Sequence, residues 1–104
     1  MRSILMLIGS GPRTPQAEQA LTLAVHLRRA GHELRVALIQ DASLMALTRP
    51  GCSVPPAVSL YVVDEDLHLR GCRKEEVVPG IRIVDHSELV DLMMEQCDTV
   101  MGAF

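Results

Sequence analysis

A chain of 104 residues with formal net charge −3 and almost half its residues apolar is long enough for one hydrophobic core and too short for two. Its mildly acidic balance argues against a partner read through a phosphate backbone, and one Tyr, one Phe and no Trp leave nothing on which single-stranded bases would stack. With so few aromatics, the expected core is aliphatic, filled in by six methionines.

Ser3 to Ile8 (SILMLI) is a continuous aliphatic run, the pattern of a strand covered on both faces. Gly9-Ser10-Gly11-Pro12 breaks it. Thr14 is placed to cap a helix that begins at Pro15 and keeps Ala17, Ala20, Leu21, Ala24, Val25 and Leu27 at helical spacing, with Gly31 as its stop. Leu34 to Ile39 reads as a second strand, parallel to the first because a helix separates them. A short helix, Ala42 to Leu47, is expected next with Asp41 as its cap. Arg49 to Pro56, with three prolines and a glycine, is a loop carrying Cys52.

Val58 to Val63 reads as the third strand, and the acids Asp64, Glu65 and Asp66 follow it directly. Asp64 is the expected cap of a helix of barely two turns, closed by Arg70-Gly71-Cys72, and acids suit the positive end of a helix. After a polar connection from Arg73 to Gly80 come a short strand, Ile81 to Val84, and a capping box of Asp85 with Glu88. That helix continues through Leu89, Leu92, Met93 and Gln96, and Thr99 to Phe104 makes a fifth strand. Five strands alternating with helices, with no repeat and no linker, imply one α/β domain over residues 1–104. Its form is a three-layer α/β/α sandwich on a mostly parallel five-stranded sheet, flavodoxin-like in outline.

Chemistry is sparse in this pattern. Three cysteines at 52, 72 and 97 form no CxxC pair, so neither a zinc ribbon nor a thioredoxin motif can be written, and an odd number points to reduced thiols in the cytoplasm. The first nine residues resemble a signal h-region but are read as a first strand, since only Arg2 precedes the apolar run, no clean cleavage site follows, and a Gly-Ser-Gly turn and a helix come next. No apolar run is long enough for a membrane span. Cys72 follows a helix C-terminus, where the dipole disfavours a thiolate, but Arg70, Arg73 and Lys74 are near enough in sequence to stabilise one. Cys52 lies beside Gly51 and near Arg49 in the loop, and Cys97, between an amphipathic helix and an apolar strand, reads as core. Gly9, Ser10 and Gly11 precede a helix N-terminus and could hold an anion, although they lack a P-loop lysine and fail GxGxxG at Thr14. With Asp41 and Asp64 they belong to the carboxyl edge of the sheet, where α/β folds place their crevices. No pair of the four histidines has a metal-ligand spacing, and capping accounts for two of the three acids at 64–66; no metal or other cofactor is expected.

LYVVDEDLHLRGC, then VVPGIRIVDHSELVDLMMEQCDTVM, resembles the C-terminal half of the DsrE/DsrF/DsrH-like (TusBCD-like) sulfur-relay superfamily, nearest its DsrH/TusB branch. AVHLRRAGHELRVALIQDAS resembles the segment in that superfamily whose aspartate closes the second strand. The resemblance implies a small α/β/α domain that assembles with copies of itself or with related subunits and passes persulfide sulfur between a donor and an acceptor protein. It does not carry the thiol over. The DsrE branch keeps its sulfur-carrying cysteine just after the third strand, where this chain has Asp64, Glu65 and Asp66. The DsrH branch can carry one in the first helix, and none lies between Thr14 and Ala30. Cys72, or failing it Cys52, is then the expected alternative carrier. A subunit of the same fold that binds and assembles without carrying sulfur is the competing expectation, and a small anion- or nucleotide-binding domain is a third.

Overall fold

The computed structural model describes residues 3–11, 14–47 and 59–103. Strands β1 (Ser3–Ile8), β2 (Glu33–Leu38), β3 (Ser59–Val63), β4 (Arg82–Val84) and β5 (Thr99–Ala103) form one sheet in the order β4-β3-β2-β1-β5. Every pairing is parallel: Ser3 to Ile8 runs beside Glu33 to Leu38, Arg35 to Leu38 beside Ser59 to Val62, Tyr61 to Val63 beside Arg82 to Val84, and Ile4 to Ile8 beside Thr99 to Ala103. The continuous apolar run of β1 is explained by this order, because a strand with a neighbour on each side and a helical layer on each face is mostly buried, with only Ser3 and Leu7 partly exposed.

Successive side chains divide the core into two clusters. Ile4, Met6, Ile8, Leu34, Val36, Leu38 and Val62 face one layer, made by helix α1 (Pro15–Arg29), a 3-10 segment (Gln40–Ala46) and helix α2 (Asp64–Leu69). Leu5, Ala37, Tyr61, Val63 and Val84 face the other, made by helix α3 (His86–Asp91) and a π-helical extension over Leu92–Gln96. The alanines Ala17, Ala20 and Ala24 are the buried residues of α1, so that small side chains bring this helix close to the sheet.

Local signals place the elements as expected. The Thr14 hydroxyl accepts the Ala17 N–H at 3.2 Å and Pro15 opens α1. Gly31, at φ +94°, ends it with the His32 N–H on the Leu27 carbonyl and the Gly31 N–H on that of Arg28. Asp85 and Glu88 form a reciprocal capping box at α3, with bonds of 2.7 and 3.2 Å.

Two expected caps are corrected. Ile39, not Asp41, occupies the cap position of the 3-10 segment, which starts one residue before Asp41. Val63, not Asp64, is the cap residue of α2, and neither segment has a side-chain cap bond. The helical segment begins directly after β3 and one residue after β2, and in both the aspartate is left inside the first turn to bond elsewhere.

Candidate functional site

The chain climbs through β1, β2, β3 and β4 with its helices on one face, then crosses to β5, beside β1, by α3 on the other face. The order reverses between β1 and β5, and such a switch point opens a crevice at the carboxyl ends of the strands. Gly9, Ser10 and Gly11 stand at the carboxyl end of β1, Asp41 follows β2, and Asp64 follows β3. The structure brings part of this set together. A Cβ added to Gly11 would lie 3.5 Å from that of Asp41.

Ion pairs fill this edge. Arg70, at the end of α2, donates from Nε and Nη2 to Asp41 Oδ1 at 3.1 and 3.0 Å, and from Nη1 to the Asp66 carbonyl at 3.2 Å. Asp66 in turn accepts the backbone N–H of Gln40 at 3.0 Å. Gln40 is the one described non-glycine residue at positive φ, +49°, so the carboxylate holds a turn that an L-residue adopts reluctantly. Lys74 Nζ lies 3.9 Å from Asp64, and Arg73 Nε lies 3.5 Å from Glu76. Each of the three cations expected near Cys72 therefore has a carboxylate partner.

Cys72 itself is half-buried against the α1-side cluster. Its N–H reaches the Leu67 carbonyl at 3.0 Å while that of Gly71, at φ +69°, reaches His68, a Schellman closure of α2. Its Sγ donates to the Arg70 carbonyl at 3.7 Å. Cys52 lies outside the described residues. Two surface hollows among the described residues, one of about 470 Å³ along the exposed side of α1 and one of about 210 Å³ between β3, β4 and α3, are lined by none of Gly9, Ser10, Gly11, Asp41 and Asp64.

Cys97 has the surroundings that the sequence reading sought at Cys72. It is half-buried at the opposite edge of the sheet, and its Sγ accepts a hydrogen bond from Arg35 Nη1 at 3.4 Å. Arg35 also donates to Ser3 Oγ at 3.4 Å and pairs with Glu33 at 3.1 Å. Its guanidinium is held above the usual arginine range, first by the hydrogen bond to Cys97, against the opposing effect of burial, then by the charges of Cys97, Tyr61 and Glu33. The sequence contained one usable signal: Arg35 is a cation within an otherwise apolar strand, LRVALI, and a charge there needs a partner. Nothing local says that the partner is 62 residues away.

The model of the family described as "DsrH like protein" matches residues 15–99. Among solved structures, the ychN protein of E. coli superposes with a TM-score of 0.81 at 20% identity, over 98% of this chain and 99% of that one. A protein of unknown function, MTH1491 of Methanobacterium thermoautotrophicum, superposes with a TM-score of 0.72 at 10% identity, over 97% of this chain and 99% of that one. None of the curated proteins matches the chain.

Proposed function

The chain belongs to the DsrH-like family, a family related to sulfur relay, and from that premise we propose that it is a relay subunit which takes a sulfane sulfur onto a cysteine and hands it to a partner thiol. The observation that carries this reading is that neither described cysteine is sealed in the core: Cys72 and Cys97 are both half-buried free thiols, at opposite edges of the sheet. A persulfide carrier needs such a position, sheltered from bulk oxidation yet within reach of another sulfur. Homo-oligomers, or assemblies with related subunits, are the expected working form. Among the described residues no helix is long and apolar enough to cross a membrane.

Cys72 and Cys52 remain the carriers that the sequence reading puts forward. The Cys72 thiol is engaged with the Arg70 carbonyl, and the neighbouring cations are engaged by Asp41, Glu76 and Asp64. The test is exposure of the reduced protein to a low-molecular-weight persulfide, followed by mass measurement of the intact chain. Gain of one reducible sulfur atom, transferable to a second thiol protein, is the expected result. A chain that gains none overturns the reading.

A second reading, an assembly subunit that carries no sulfur, draws on the acids at 64–66. They occupy the place of the DsrE-branch cysteine, and Asp66 is structural, holding Gln40. On that reading the protein with all three cysteines replaced binds its related subunits as tightly as the original, and the original never acquires sulfur.

A further inference from the structure

The π-helical turn Leu92–Gln96 ends directly on Cys97, which adopts an extended backbone. The next residue fixes the position. Asp98 N–H donates to the Ser3 carbonyl at 2.8 Å, and Asp98 Oδ2 accepts the Ser3 N–H at 3.0 Å. Cys97 is thereby tied to the start of β1, and Ser3 Oγ shares the same guanidinium nitrogen of Arg35 that reaches the sulfur. The contact sets a cationic donor directly on the sulfur, the kind of bond that strengthens as its acceptor gains negative charge. Glu33, paired with the other end of Arg35, orients the guanidinium and offsets part of its charge.

A second feature lies on the same face of the sheet. Arg35, Ala37 and Tyr61 all point to the α3 side, with Ala37 and Tyr61 side by side in register. Tyr61 is 9% exposed and lines the hollow of about 210 Å³ together with Arg82, Val84, Glu88, Asp91 and Leu92. Its hydroxyl has no protein hydrogen-bond partner among the described residues, and it is not sealed from solvent. A buried polar side chain that opens on a hollow is satisfied by what enters it.

We infer that Cys97, held against Arg35, is the thiol that accepts sulfur in this subunit, with the Tyr61 hollow receiving the donor's polar end. This rests on the relay reading above. The Cys97 thiolate attacks the outer sulfur of a donor persulfide, R–S–SH. The donor S–S bond breaks as the new one forms, giving Cys97–S–SH and R–S⁻, which takes up a proton from water. Arg35 stabilises the attacking anion and then the persulfide anion.

Alkylation rates test the pair independently of relay. With iodoacetamide at neutral pH, Cys97 of the native protein reacts about tenfold faster than Cys72; Arg35→Gln removes the advantage, and Arg35→Lys keeps part of it. Cys72, measured in the same samples, reports whether a variant has lost its fold. Equal rates at the two cysteines in the native protein overturn the inference without any variant. Sulfur from a small persulfide, mapped by digestion, is expected on Cys97. Its appearance on Cys72 or Cys52 alone overturns the inference and leaves the relay reading standing, whereas sulfur on no cysteine overturns both. Tyr61→Phe slows sulfur acceptance several-fold at low donor concentration with alkylation unchanged; unaltered acceptance removes the hollow from the scheme.

Discussion

Arg70 and Asp66 are the residues on which the carboxyl edge depends. The Arg70 side chain is 24% exposed and binds Asp41, itself 69% exposed, so water screens the pair. Arg70→Ala is expected to cost about 1 kcal/mol, read from urea denaturation. Asp66 is 13% exposed and serves both Arg70 and the Gln40 N–H. Asp66→Ala leaves that N–H without its acceptor and is expected to cost about 2 kcal/mol; a loss no larger than that of Arg70→Ala contradicts the role given to Asp66. The acids were legible as first-turn residues because the helix dipole acts locally. Their partners were not, since Arg70 and Asp41 are 29 positions apart and meet only when α2 packs on the 3-10 segment. The same limit hid the bond from Arg35 to Cys97.

At the scale of elements, the ends of α1 and α3 could be read from Thr14, Pro15, Gly31, Asp85 and Glu88, since each satisfies a backbone group within a few residues of itself. Thr14→Ala and Asp85→Ala are each expected to destabilise by about 1 kcal/mol, measured as a lower urea midpoint at constant slope. The 3-10 segment and α2 lack such caps, and the expected aspartate caps fell inside the first turn, Asp64 one position and Asp41 two positions past the cap residue. Gln40 shows why: the turn from β2 is made through its positive φ and an acceptor from α2, neither of which leaves a local pattern. Gln40→Gly is expected to leave stability unchanged or raise it by about 0.5 kcal/mol, as relief of the left-handed conformation outweighs the added chain entropy. A clear loss would mean that the Gln40 side chain does more than its backbone. The π-helical turn before Cys97 left no signal either, because Leu89, Leu92 and Met93 fit an ordinary helix equally well.

At the scale of the molecule, the alternation of strands and helices was enough for a parallel α/β sandwich, since a helix between two strands imposes parallel pairing. The strand order was beyond that pattern. It depends on which face each crossover takes, and α3 alone crosses on the second face. Consequently the molecule has two distinct edges: a carboxyl edge closed by ion pairs among Asp41, Asp66 and Arg70, and an amino edge where Cys97 meets Arg35. The second is where the proposed sulfur chemistry is expected; Leu69 and Met94, elsewhere on the surface, are each 78% exposed. Ser43, fully buried with an unpartnered hydroxyl, is a site where removing a polar atom carries no hydrogen-bond loss, so Ser43→Ala is expected to leave thermal stability equal or higher. The most direct test of the account is digestion mapping of the native chain after brief exposure to a small persulfide. Added sulfur on the peptide containing Cys97, lost on reduction and strongly diminished in Arg35→Gln, is the predicted result; sulfur on Cys72 in its place, or on no cysteine, would contradict it.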